Sequence, residues 1–507
     1  MTTSQAAGAA GTRPARRLPA AADGKPWWRL RRTDLLVLCV WAASRVVMLA
    51  ISLAALAAEH GTSWLSLWQR WDWDRYLTIA EYGYTSGKGP AYNSDIVAFF
   101  PGYPVVLRAV DLVVRDWVVS GLLISLVAGA VACIALARLT EFEWRARQAR
   151  GESDKQFKTG EPARDRSRRA AVTAVLLLVC APAAVFLAAG YTESLFLALG
   201  MPAWLAARRR RWVLAGVLTA LAATVRIDGV FEAAGIVVMF VLSRPKARDW
   251  ARSPALLLLM AAAGGYMAYL KDITGDWLAW FHAEQQGWSR RLTNPVTALR
   301  NSWNNAFGSG YMSGGPAFGR SGGRAPAVGG SGAGPGSTAA AGRPGAPSAG
   351  PGQRSGFGQG SGGSSSGGRL PGTSAAPGAG ALPKRGSASL HAAYALSGGG
   401  LGGVGTFGPW PFRLDILVII AGIAFAGWAA FRRRWAELAY VGIAVVSLAT
   451  STYYMSVARE ALLWWPLWIA LAIWLSRRRW LTVLCIVVSS TMMAGISWLF
   501  LTGGWAG

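Results

Sequence analysis

Most of this chain is a succession of apolar stretches, many about long enough to cross a bilayer, joined by short charged turns. No other feature constrains the fold as strongly. In lipid, each backbone N–H and C=O must be satisfied within the protein, so such stretches become helices. About eleven spans are legible, at about 34–58, 117–138, 170–189, 193–207, 212–225, 229–243, 254–270, 412–431, 436–452, 460–476 and 480–502. Composition agrees. Only 15% of the 507 residues are charged, against about 25% in soluble domains, and the mean hydropathy is +0.31. The 26 tryptophans suit interfacial belts, where an indole keeps its N–H wet and its body dry.

The turns alternate in charge. RRRR at 208–211, SRPKARDWAR at 243–252, FRRRW at 431–435, SRRRW at 476–480 and the loop at 141–169 are rich in Arg and Lys. The short turns between them, such as GYTES and RIDG, are not. The positive-inside rule therefore makes the first set cytoplasmic, together with the basic tail 1–33, whose Arg29, Arg31 and Arg32 press on the first span. This distribution also accounts for the net charge of +26 without nucleic acid as a partner. The first apolar run is long enough to span and lacks a convincing cleavage site, so no signal peptide is expected. Cys39, Cys133, Cys180 and Cys485 all fall in apolar spans and read as inert packing. Residues 308–408, rich in Gly, Ser, Pro and Ala, cannot bury enough surface to offset chain entropy and are expected to be a disordered extracytoplasmic loop. The expected organisation is thus an N-terminal membrane module over 34–307, with a first outer loop at 59–116, then the loop 308–408, then C-terminal helices over 409–507.

On the outer side the charged groups gather. They are Asp72, Asp74, Arg75, Glu81 and Asp95; Glu193 beside Tyr191 and Thr192; Arg226 and Asp228; Lys271, Asp272, Asp276, His282 and Glu284; and Arg459 and Glu460. Charge at membrane depth is costly and marks a functional site by default, although any one of these has solvated loop charge as its simpler reading. In WDWDRYLTIAEYGY, residues 71–84, Trp71, Tyr76, Ile79 and Ala80 recur at helical spacing, so 72–82 is expected to be a helix lying on the membrane. Asp72 falls in its first turn, where N-cap duty is the structural alternative to chemistry. Pro101 and Pro104 are expected to break the chain around Gly102 and Tyr103. Arg45, midway through the first span, must have a partner there. Asp72-Trp73-Asp74 has the acidic-any-acidic spacing of metal sites that hold nucleotide sugars; no metal or other cofactor is expected here.

WDWDRYLTIAEYGY followed by AFFPGYPVVLR (98–108) resembles the PIG-V-like mannosyltransferases of the membrane glycosyltransferase C superfamily. PAAVFLAAGYTESLF (182–196), ATVRIDG (223–229), TGDWLAWFHAEQQGW (274–288) and SVAREALLWWP (456–466) continue that resemblance in order. It covers about 34–300 and 412–500. The abundance of Ala, Arg, Gly and Trp is of the actinobacterial type. The chain departs from the family pattern in its insertion, at Asp228 in RIDG, and at Glu460, where a Tyr is commoner. The resemblance implies an all-α, polytopic enzyme of the cell membrane acting on the extracytoplasmic face. It implies a polyprenyl-phosphate-mannose donor and a glycan, glycolipid or protein acceptor. An acceptor hydroxyl attacks opposite the leaving phosphate, so a β-linked donor gives an α-mannoside, and a carboxylate must take its proton. The family's Trp-Asp position makes Asp72 that base, with Asp74 the alternative. Arg226 and Arg459, each capping a span at the outer boundary, are the candidates for the phosphate. Glu193, Asp228 and His282 are candidates for sugar hydroxyls, and Arg75, Tyr76 and Tyr103 complete the substrate-binding set. Another polyprenyl-linked sugar such as arabinose, or a flippase for a lipid-linked sugar, are the readings to set against this.

Overall fold

The structure, a computed structural model, describes residues 29–85, 94–149, 162–288, 290–307 and 410–504. The expected disordered loop at 308–408, and most of the basic tail, lie outside the described residues, as does the side chain of Asp95. The described part is all-helical: α1 Arg32–Ala58, α2 Trp73–Tyr82, α3 Gly102–Val114, α4 Trp117–Ala149, α5 Ala163–Val179, α6 Thr192–Arg208, α7 Trp212–Val225 and α8 Asp228–Leu242. There follow α9 Ala247–Trp250, α10 Leu258–Thr274, α11 Ala279–Trp288, α12 Pro295–Phe307, α13 Trp410–Phe431, α14 Trp435–Ala449, α15 Val457–Glu460, α16 Trp465–Leu475 and α17 Arg479–Leu501. Short 3-10 turns link several of them.

By length and composition, five described helical stretches qualify as membrane spans: α1, α4, Ala247–Thr274, α13 and α17. The broken pair α15–α16 makes six if counted as one. This is fewer than the eleven expected. α5 and α6 have 17 residues each, roughly 25 Å of helix, and both carry charge near one end. α7, α8 and α14 are shorter still. α4 is the most enclosed of the five and packs on α5 and α6, whereas α1 shows Leu35, Val46, Val47 and Leu53 on its outer surface, as a lipid-facing helix must. Arg45 on α1 lies over the Trp41 ring, 3.9 Å from its centroid, and its Nε donates to Ser44 Oγ at 3.3 Å.

Local chemistry fixes the ends. α3 stops at Arg115, which turns left-handed at φ 60°. α4 starts one residue later, with Asp116 Oδ1 accepting the Val119 amide at 2.9 Å as an N-cap does. The expected break around Gly102–Tyr103 is instead the start of α3: Pro101 precedes it and Pro104 sits in its first turn, where a missing N–H costs nothing.

The expected span 460–476 is not one helix. Val457–Leu463 and Trp465–Leu475 meet at 79°, because Pro466 at the start of the second piece cannot donate back into the first. The break frees carbonyls, and side chains satisfy them: Tyr440 donates its hydroxyl to Leu463 O at 2.7 Å, and Trp468 Nε1 donates to Ala461 O at 2.9 Å.

The Arg-rich turns after α6 and α13 share one end of the bundle. There the buried Glu143 of α4 accepts from both Arg208 and Arg434, and Arg138 grips Asp34 at 2.7 Å. The starts of α2, α6, α8 and α15 share the opposite end.

Candidate active site

At that opposite end is a cavity of about 360 Å³. Its floor is made by Asp72 from the start of α2, Thr192 from the start of α6, Arg226 and Asp228 from the α7–α8 turn, and Arg459 and Glu460 from α15. Its lip is made by Glu284 and Trp288 of α11 and by the segment Arg290, Arg291 and Leu292.

Asp72 begins α2 with helical backbone angles, and its side chain makes no capping bond. Its Oδ2 instead accepts from Arg459 Nη1 at 2.7 Å. N-capping is therefore not what this side chain does, and Asp72 lines the cavity. The preceding Trp71 is left-handed at φ 53°, as is Ser456 at φ 61° just before α15. Strained backbone of this kind, unusual for a large side chain, therefore flanks both halves of the Asp72–Arg459 pair.

Packing holds α2 in place. The buried ring of Trp73 lies against Gly121 of α4 and Gly190; a Cβ at these positions would come within 2.7 and 2.5 Å of it. Tyr191 donates its hydroxyl to Arg70 O at 2.5 Å. Tyr76 meets Phe99, Tyr103 and Tyr191 edge to face, with centroids 4.9 to 5.9 Å apart. Burial, and after it the Asp72 carboxylate, hold the Tyr76 phenol above its ordinary pKa, so it remains a proton donor. The helix α15 is held by Asp415 of α13, whose Oδ1 accepts the Ala458 amide at 2.9 Å.

Below Asp72 the charges interlock. Glu193 is fully buried and accepts from Arg459 Nε and from Arg226 Nη1, the latter at 3.1 Å. Arg226 also donates to Thr192 Oγ1 at 2.9 Å, to Asp228 Oδ2 at 3.1 Å and to Glu460. Arg459 lies over the rings of Phe186 and Tyr191, 4.6 and 4.9 Å from their centroids. Both guanidiniums are therefore taken up by Asp72, Asp228 and Glu460, which line the floor, and by Glu193 buried behind it, so the floor itself has one more acid than bases.

The other sequence candidates fall elsewhere. Asp74 is exposed and does not line the cavity, although it is two residues from Asp72. Arg75 is half-buried, with Nη1 on Trp71 O at 3.3 Å. Tyr103 is fully buried behind Tyr76, and its hydroxyl has no hydrogen-bond partner among the described residues. His282 is exposed, outside the cavity, with Nδ1 on Asp276 Oδ2 at 2.6 Å. Glu284, on the same helix, lines the cavity in its place; burial lifts its carboxyl above the ordinary range and Arg290 draws it back. Side chains two apart on a helix point about 200° away from each other, so the chain had to show how α11 is rotated before the two could be told apart. His282→Ala is accordingly expected to leave transferase activity within about three-fold of wild type, as for a surface substitution, measured as labelled sugar incorporated by membranes. Among the described residues, no group of three or more His, Cys, Asp or Glu is placed to hold a metal ion.

Residues 48–245 match the family model described as Mannosyltransferase (PIG-V). GPI alpha-1,6-mannosyltransferase 2 of Mus musculus is 33% identical over 171 residues, 32% of this chain and 29% of the relative. The protein of that name from Rattus norvegicus is 32% identical over 171 residues with the same coverage. That from Cricetulus griseus is 34% identical over 163 residues. The chain thus spans about 29% of the length of the curated relatives it matches. No solved structure matches it. The matched segment contains Asp72, Glu193, Arg226 and Asp228, while Glu284, Arg290, Arg291, Arg459 and Glu460 lie beyond it.

Proposed function

We propose, from the premise that residues 48–245 are a PIG-V-type mannosyltransferase segment, that the protein is a membrane glycosyltransferase. It moves mannose from a polyprenyl-phosphate-mannose donor to a hydroxyl of an extracytoplasmic glycan, glycolipid or protein. The observation that carries this reading is the Asp72 carboxylate, held by Arg459 at 2.7 Å on the wall of a cavity opposite the Arg-rich end of the bundle. By the positive-inside rule that end is cytoplasmic and the cavity opens outward.

Arg459 fixes Oδ2 of Asp72, and Oδ1 is then the oxygen that takes the acceptor's proton. As that proton leaves, the acceptor oxygen forms its bond to the anomeric carbon, and the bond to the phosphate oxygen breaks on the opposite face. Both bonding electrons depart with the lipid phosphate, and the configuration inverts from β to α. The transition state for such a displacement is oxocarbenium-like and carries positive charge on the sugar. A floor with an excess of carboxylates favours that charge where it develops. The printed name of the mammalian relatives, an alpha-1,6-mannosyltransferase, agrees with an α product.

The test is a donor comparison. Membranes containing the chain are expected to incorporate labelled mannose from polyprenyl-phosphate mannose and not from GDP-mannose, into a product cleaved by α-mannosidase. Incorporation from the nucleotide donor alone, or a product resistant to α-mannosidase, would overturn the reading.

A further inference from the structure

The cavity's charge is divided. The floor carries the acid excess, and both of its arginines already hold carboxylates at hydrogen-bond distance. A phosphate arriving there must displace those carboxylates and enter a region of like charge. The lip has the opposite balance. Arg290 and Arg291 line it with the single carboxylate Glu284, which pairs with Arg290, loosely, at 3.5 Å. The Arg291 guanidinium is exposed and makes no ion pair among the described residues.

The lip is nonetheless pinned. The Arg291 amide donates to Thr452 Oγ1 at 3.0 Å, and the Thr293 amide donates to Thr450 O at 2.7 Å. Asn301 Nδ2 donates to Thr452 O at 2.8 Å, which ties α12 to the same turn. A backbone fixed on both sides of a guanidinium that has no acid of its own is a preorganised cation site. Apolar surface adjoins it: Leu292 is 81% exposed, Val296 66% and Phe281 38%, and Leu292 and Phe281 themselves line the cavity.

We propose that Arg290 and Arg291 seat the phosphate of the lipid donor, with its polyprenyl chain lying along Phe281, Leu292 and Val296. This rests on the donor chemistry put forward above. The sugar then hangs from the lip toward the acidic floor, and the leaving anion and the sugar's developing positive charge part into regions of opposite balance. Arg226 and Arg459 keep the carboxylates in place instead of meeting the phosphate.

The test is direct binding of a fluorescent polyprenyl phosphate to the purified full-length chain in nanodiscs. Wild type is expected to bind. Arg290→Gln with Arg291→Gln is expected to weaken binding at least ten-fold, while Arg291→Lys, which keeps the charge, stays within about three-fold. Fluorescent polyprenol without the phosphate is expected to bind these proteins alike. If the double variant binds polyprenyl phosphate as wild type does, the seat lies elsewhere and the donor reading stands. If phosphatidylglycerol competes as well as unlabelled polyprenyl phosphate, the lip is a general contact for anionic headgroups and the proposal falls. If wild type binds no polyprenyl phosphate, the donor reading falls together with the seat.

Discussion

Asp72→Asn is expected to lower mannose transfer by about 10²–10⁴-fold, the range that a positioned general base supplies. The substitution is nearly isosteric. The Asn carbonyl still accepts from Arg459, and Arg459 keeps Glu193, so neither guanidinium is stranded. Removing one acid from a floor that has one more acid than bases, with Glu193 still paired to both arginines behind it, leaves no buried cation unpaired. The variant is therefore expected to reach the membrane in normal amount, so that a loss of transfer reports on the proposed proton-transfer step. Asp74→Asn is the matched control: its carboxylate is exposed and off the cavity, so transfer stays within about three-fold. Labelled mannose incorporation by membranes of each variant, normalised to protein, measures both. Equal incorporation by wild type and Asp72→Asn would remove Asp72 from its role.

Arg459→Met is expected to show its largest effect on stability. Arg459 is 8% exposed and is the ion-pair partner that Asp72 and Glu193 share. Taking one member from a buried pair leaves an uncompensated charge and costs about 3–5 kcal/mol. Unfolding in detergent should shift accordingly, and protein yield should fall. The origin of the loss can be checked inside the same network. Glu193 keeps Arg226 in that variant, and Asp72 is the carboxylate that loses its ion pair; adding Asp72→Asn to Arg459→Met should therefore make the double variant more stable than Arg459→Met alone, a coupling that independent sites do not show. If Arg459→Met instead unfolds like wild type and only the donor KM rises, Arg459 is a phosphate ligand, as the sequence position of this cation at a span end first indicated.

The resemblance to PIG-V enzymes was legible from ordered short motifs, and the family match over residues 48–245 covers the four that lie at 71–84, 98–108, 182–196 and 223–229. The helix at 72–82 was legible because Trp71, Tyr76, Ile79 and Ala80 fall on one face, and Trp73–Tyr82 is helical. The convergence of Asp72, Glu193, Arg226, Asp228 and Arg459 agrees with the sequence expectation that each sits at the same end of the helices, since a chain that crosses back and forth returns alternate turns to one face. The pairing within that group was not legible. Glu193 and Arg459 are 266 positions apart, and no spacing rule joins residues from separate helices. Asp415 was hidden in a stretch whose apolar average masked one acid, and only its bond to the Ala458 amide shows what it does. Fewer helices meet the length of a span than the apolar stretches suggested, because a hydropathy window registers apolarity and disregards length: α7 and α14 are apolar but have 14 and 15 residues.

Sequence by itself determined which stretches are apolar enough to leave water, because transfer into lipid is additive along the chain and needs no partner. Tertiary structure alone decided which boundary charges face each other. That choice depends on the rotation of each helix about its axis, which packing such as that of Trp73 against Gly121 and Gly190 sets in three dimensions.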